Sequence, residues 1–392
     1  MDLALYLHPF DLRALHARGG LARLRDLGFD EVSIATSYHD GRWLTPWNPE
    51  RRVRFLEDGC VHFRPQGRYG ALQPAPSSEV PEAGASPLEQ LCAEARAAGV
   101  RARAWTVFGH NTQFGTRAPH LSVENAHGDR YPYALCPAQA DVRDYHAALV
   151  RDLAGHEGLG TIELEALGQM GIQHSSHHDK KSFTPKGLLA FALSSCFCDA
   201  CLALHGELGQ DGEAHRAAAR AFVDEVVTDG DAMAPASTPG ADADLDGGQR
   251  AWVEAVLAVR QRSVAALAEQ VVAASGGCAR AVQVHPDRWF TGSQLSASSA
   301  AAFPVSDERV FTCYGEGPAE IAAMFDSEGA CETAASPRRL CIWPKAPKFT
   351  CDEDLVKIRA LCEKRGVGAI AVYHLGLLPW RTVERVAKIL SA

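Results

Sequence analysis

The chain has 392 residues, and 39 Lys+Arg against 48 Asp+Glu leave it at −9. This length suits one large α/β barrel or two to three average domains, and it buries enough apolar surface to fold without disulfide staples. The acidic balance argues against a nucleic-acid footprint, and no stretch approaches the roughly 18 consecutive apolar residues of a membrane span.

An acid, Asp2, stands where a secretory leader carries positive charge, and His8-Pro9 end the first apolar run early. Twelve cysteines without a leader read as reduced thiols or metal ligands, so the cytoplasm is the expected compartment.

Short β-rich runs recur along the chain, at 3–8, 31–39, 101–110, 161–167, 279–285, 309–314, 339–343 and 369–374. Near-continuous apolar character marks them as parallel strands buried on both faces. Helical patterns separate them at 10–27, 88–98, 140–154, 250–274, 318–325, 352–364 and 382–390. The stretch 292–302 is a weaker helix pattern, rich in small residues. This alternation predicts an α/β fold, a (β/α)8 TIM barrel over residues 1–392. A doubly wound sheet fits less well. No G-x-G-x-x-G follows the first strand, so no nucleotide cofactor is expected.

Turns from helix to strand are brief, whereas connections from strand to helix are long after strands two (40–87), three (111–139) and four (168–248). In a barrel these loops share the C-terminal face, where active sites form. The third is read as an inserted helical and loop subdomain, 168–248. It has helices near 188–208 and 214–227 and a Gly/Ala/Asp/Pro-rich surface loop at 228–248.

Strand four reads Thr161-Ile162-Glu163-Leu164-Glu165-Ala166-Leu167. Its alternation sends Ile162, Leu164 and Ala166 to the outer helices and points Glu163 and Glu165 into the barrel. Buried carboxylates demand cations, hydrogen bonds or protonation, and Arg103 on strand three is the candidate partner. Glu165, nearer the mouth, is the candidate catalytic group; Glu163 lies one layer below and supports it or the substrate.

Other strand ends are polar too. His8, His39, His110, Asn111, His285, Tyr314, Lys345 and His374 are candidate substrate contacts around the mouth. His174, His177 and His178, in the strand-four insertion, are further candidates. Their H-x-x-H-H spacing is not the H-E-x-x-H of a zincin.

The insertion also carries Cys196-Phe197-Cys198-Asp199-Ala200-Cys201. Three thiols this close can hold three corners of a structural zinc tetrahedron, with Cys136 as the fourth ligand or His205 as the runner-up.

The segment Leu135-Cys136-Pro137-Ala138-Gln139-Ala140-Asp141-Val142-Arg143-Asp144-Tyr145 resembles the L-C-P-x-x-P-x-V-R-x-Y segment of glycoside-hydrolase-like barrel proteins. The cysteine run resembles the C-[FY]-C-x-x-C element in their strand-four insertion; a similar group binds zinc in one family of barrel β-galactosidases. The resemblance covers roughly residues 100–205. It implies an acid/base glutamate at the end of strand four, which maps onto Glu165.

The nucleophilic glutamate of related retaining enzymes, at the end of strand seven, has no counterpart, because this chain reads Trp343-Pro344-Lys345 there. Glu316 or Asp287 would have to supply a second carboxylate. The expected function is therefore a glycoside-hydrolase-like enzyme acting on a small carbohydrate-like substrate. Two alternatives stay open. One is a barrel isomerase, epimerase or lyase using a metal on Glu165, His110 and His285, or a Schiff base on Lys345. The other is a non-catalytic carbohydrate-binding barrel.

Overall fold

The computed structural model describes residues 1–172, 180, 182–228, 238, 240, 242–303, 306–327 and 336–392. Eight parallel strands form a closed ring: Asp2–Leu7, Glu31–Tyr38, Arg101–Val107, Leu159–Glu165, Ala279–His285, Glu308–Cys313, Arg338–Ile342 and Ala369–Val372. Each pairs with its neighbours in chain order, and the first strand closes the ring by pairing with both the second and the last. The (β/α)8 barrel expected from the alternation is the fold of the chain.

Two apolar layers follow from the period-2 strand geometry. Leu3, Leu5, Val32, Ile34, Ile162, Leu164, Leu340 and Ile342 pack outward in the cluster shared with the helices. Ala4, Tyr6, Ala35, Trp105, Ala281, Val310, Cys341 and Ala371 belong to the cluster that fills the barrel and its mouth. A third cluster joins Leu188, Phe191, Val223 and Trp252, from the insertion and the long helix Gly247–Ala274.

Several elements depart from the sequence pattern for identifiable reasons. The single helix expected over 10–27 is two, Pro9–His16 and Gly20–Asp26, parted at Gly19 and Gly20, which both take positive φ. The helix expected over 188–208 is also two, Gly187–Leu193 and Asp199–Glu207, and the break between them turns Cys196 and Cys198 inward. The long loops after strands two and three contain hairpins, Gly41–Leu44 with Val53–Leu56 and Ser122–Glu124 with Arg130–Leu135. Among the described residues, no helix is long and apolar enough to cross a membrane.

Candidate active site

The floor of the site is an ion network in the barrel interior. Arg103 lies 2.7 Å from Glu31, 3.1 Å from Glu163 and 2.7 Å from Glu308, and Arg339 pairs with Glu31 and Glu308 at 2.8 and 3.0 Å. Burial pushes the Glu31 carboxyl up, but Arg103 and Arg339 outweigh it and hold the group at about 2. Glu163 is fully buried and accepts from the Tyr6 hydroxyl and, at 2.8 Å, from Gln283 Nε2. The expected Arg103–Glu163 pair is present, and it seals Glu163 beneath the mouth.

Glu165, one layer higher, is 7% exposed. It accepts from Trp105 Nε1 at 2.6 Å and from Gln283 Nε2 at 3.3 Å. Burial raises its carboxyl to about 7; bonds from Trp105 and Ser293 pull it down, and the Glu163 charge below pushes it up. A carboxyl poised there can donate a proton near neutral pH, as a general acid requires. Around it stand Tyr38, Tyr373 and Tyr314. The Tyr38 and Tyr373 hydroxyls are 3.1 Å apart, and the Tyr314 and Tyr373 rings have centroids 4.2 Å apart.

The backbone just after Glu165 is unusual. Ala166 takes φ 59°, which breaks the strand alternation and places Ala166 in the mouth cluster instead of against the outer helices. Its N–H donates to Ser293 O at 2.7 Å and its carbonyl accepts from Gly109 N at 2.8 Å. A Cβ on Gly109 would come within 2.6 Å of that carbonyl, so the close approach needs glycine.

The remaining candidates divide by position. His8 is buried, stacked on Phe10 at 4.4 Å and edge-on to His62 at 4.5 Å. His374 is fully buried, accepts from Gly376 N at 3.1 Å and lies 3.6 Å from Asp11. Burial holds the His374 imidazole down at about 3 and pushes the Asp11 carboxyl up to about 7. His39 and His110 stack at 4.2 Å with planes 16° apart. With Asp40 they form a group whose ligand atoms lie within 4.8 Å. A metal lies in the plane of each imidazole it binds, however, and parallel stacked rings do not share one.

Asn111 caps the helix Thr112–Arg117, accepting from Phe114 N at 2.9 Å, and donates to Gly59 O. His285 stacks on Phe290 at 3.9 Å, and burial lowers it to about 4. Asp287 is exposed and accepts from Trp289 N, and Glu316 is half-buried and accepts from Gly315 N. Lys345 Nζ sits 2.8 Å from the Trp343 ring centroid. His174, His177 and His178 lie outside the described residues.

The residues the sequence reading missed are Trp105 and Gln283. Both sit at inward positions of the alternation, and a buried carboxylate pair needs donors at that level.

A second cluster lies beside the mouth. The Cys136 Sγ is 3.6 Å from Cys201, 3.7 Å from Cys196 and 3.8 Å from Cys198. A zinc–sulfur bond of about 2.3 Å gives a tetrahedron edge of about 3.8 Å, so the spacing fits that ion. The sulfurs also receive donors: Glu124 N on Cys196, Gln139 Nε2 on Cys198, and Gln169 Nε2 on Cys201 and Cys136. His205 is turned to Gln210 at 2.8 Å and stacks with Phe197, so Cys136 and not His205 completes the group of four.

With fold and site in view, the chain can be compared with solved structures. It superposes on the glycoside hydrolase domain of PgaB (BpsB) from Bordetella bronchiseptica with TM-score 0.56 and 12% identity, covering 100% of this chain and 99% of that one. What the two share is the barrel fold. The catalytic domain of β-amylase from Paenibacillus polymyxa matches with TM-score 0.52 and 9% identity, over 100% and 98% of the two chains. The cold-adapted β-galactosidase from Rahnella sp. R3 matches with TM-score 0.53 and 10% identity; this chain is covered fully and spans 56% of that one. At such identities the likeness is one of fold. No protein-family model and no curated protein matches the sequence.

Proposed function

We propose that the protein is a glycoside hydrolase acting on a carbohydrate, with Glu165 as the general acid/base. The observation that carries this is a carboxyl at the mouth of strand four, buried, held by Trp105 and Gln283 and raised to about 7. Trp105 donates to one carboxyl oxygen and so orients the group, while the tyrosines around it offer hydroxyls and ring faces to a sugar. Glu163 is sealed by Arg103 and Tyr6, so the partner carboxylate comes from the loops, Glu316 or Asp287. A separation near 5 Å would retain anomeric configuration, and one of about 6.5–9.5 Å would invert it.

His8, His39, His110, His285, His374, Tyr314 and Lys345 form the surrounding set from which substrate contacts are drawn. The 168–248 insertion is a subdomain clamped to the barrel by a structural zinc on Cys136, Cys196, Cys198 and Cys201. The thiolates would hold the ion, and its contribution is to fix the chain on either side of strand four.

The test is hydrolysis of glycosides with alkyl or sugar leaving groups, which require protonation. Glu165→Gln should lose at least about 100-fold in kcat. Full activity in that variant would sink the assignment.

A further inference from the structure

Beside the mouth is a cavity of about 140 Å³ that the Glu165 chemistry does not use; of the substrate-contact set just named, His8 lines it. Its inner wall is made by His8, which follows the first strand, by the Phe10 ring and by His62. Both imidazoles are more than nine-tenths buried. Neither nitrogen of His8 has a hydrogen-bond partner, nor does Nε2 of His62, whose Nδ1 lies 2.7 Å from Ser77 Oγ. Buried polar atoms without partners are costly, and a ligand that pairs them recovers that cost.

Four charged side chains also line it: Arg51 and Arg54, the latter buried over the Phe10 ring, balance Glu57 and Glu79. Arg54 lies 3.7 Å from Glu79. Burial keeps His62 down at about 3 and His8 lower than its usual range, so both rings are neutral. At the rim stands Phe55, 78% exposed on the hairpin Val53–Leu56 and presenting an aromatic face to solvent.

Neutral donors and acceptors inside, balanced charge and an aromatic ring at the entrance suit a hydroxyl-rich uncharged ring. Tyr38 spans the gap to the region around Glu165. Its ring is 5.8 Å from His8, and its hydroxyl meets Tyr373 beside Glu165.

We propose that this cavity is a second carbohydrate subsite, binding one neutral sugar unit of a longer substrate whose scissile bond lies over Glu165. The proposal rests on the glycosidase reading and adds chain length to it: the substrate is an oligosaccharide or polymer, not a single capped sugar.

The experiment uses the full chain carrying Glu165→Gln, which prevents turnover. It is titrated calorimetrically with β-1,4-linked gluco-, galacto- and N-acetylchito-oligosaccharides of one to four units. One series should gain at least tenfold in affinity as units are added, and Phe55→Ala and His62→Leu should each remove most of that gain. Phe55 is exposed, so its truncation leaves the fold intact even where His62→Leu does not. Affinity that is independent of length, or a gain that survives Phe55→Ala, would mean the cavity holds only water; this overturns the subsite and leaves the Glu165 assignment standing. No binding by any series overturns both.

Discussion

Replacing Glu165 by Gln removes an ionisable group while nearly preserving its shape, and its effect on stability can be worked out. Folding raises the carboxyl from its usual 4.5 to about 7, through burial first. Between those values the folded state binds more protons than the unfolded state, so wild-type stability falls as pH rises from 4.5 towards 7 and is level above that. At about 1.36 kcal/mol per pH unit the full loss is about 3 kcal/mol. Gln has no such proton to lose. Its carbonyl can keep the bonds from both Trp105 Nε1 and Gln283 Nε2, which reach the same carboxyl oxygen.

Glu165→Gln should therefore match wild type at pH 4 and be more stable by about 3 kcal/mol at pH 8. Urea unfolding at a series of pH values measures this directly. A difference that stays flat from pH 4 to pH 8 would refute the claim that burial holds this carboxyl protonated near neutrality. In the same protein, wild-type activity should fall on the alkaline side as pH passes about 7, because the acid form disappears.

The other predictions concern the surroundings of that carboxyl. Arg103→Met leaves Glu31, Glu163 and Glu308 short of a buried cation, and chemical unfolding at pH 7 should show a loss of about 3–5 kcal/mol. Elemental analysis should find one zinc per chain in the purified protein. Cys136→Ser should lose it and melt several degrees lower, whereas a metal-free wild type of unchanged melting temperature would remove the clamp from the account. Gly109→Ala forces a Cβ onto the Ala166 carbonyl and should cost about 1–3 kcal/mol and reduce kcat, read from unfolding curves and steady-state rates.

The barrel was legible because strands buried on two faces announce themselves as short apolar runs, and glycines punctuate the returns to them. Within the site, Glu163, Glu165 and Arg103 were legible because charges at inward positions of a strand contradict burial and demand an explanation. Trp105 and Gln283 were not, since an inward tryptophan or glutamine reads as ordinary filling until the register sets it beside a carboxylate. The Ala166 conformation has no local signal, because alanine gives no reason to leave the strand; its cause is the carbonyl of Ser293 and the glycine at position 109, both far away in the chain. The hairpin Gly41–Leu44 with Val53–Leu56 was read as loop because only one of its faces is buried, through Trp43 and Arg54 against the barrel end.

The ring closes between the first strand and the last, Ala369–Val372, and this orders events in time. On a growing chain, the Glu165 strand and its arginine from strand three emerge well before Arg339 and Tyr373, which complete the charge balance below and the aromatic wall beside Glu165. Until then the half-built sheet exposes two open edges, each a template for pairing with another chain. A truncation that removes only strand eight would thus do more than delete one-eighth of a barrel. It would leave Glu165 without its aromatic wall and the sheet without closure, a chain prone to self-association whose buried carboxyl has lost its surroundings.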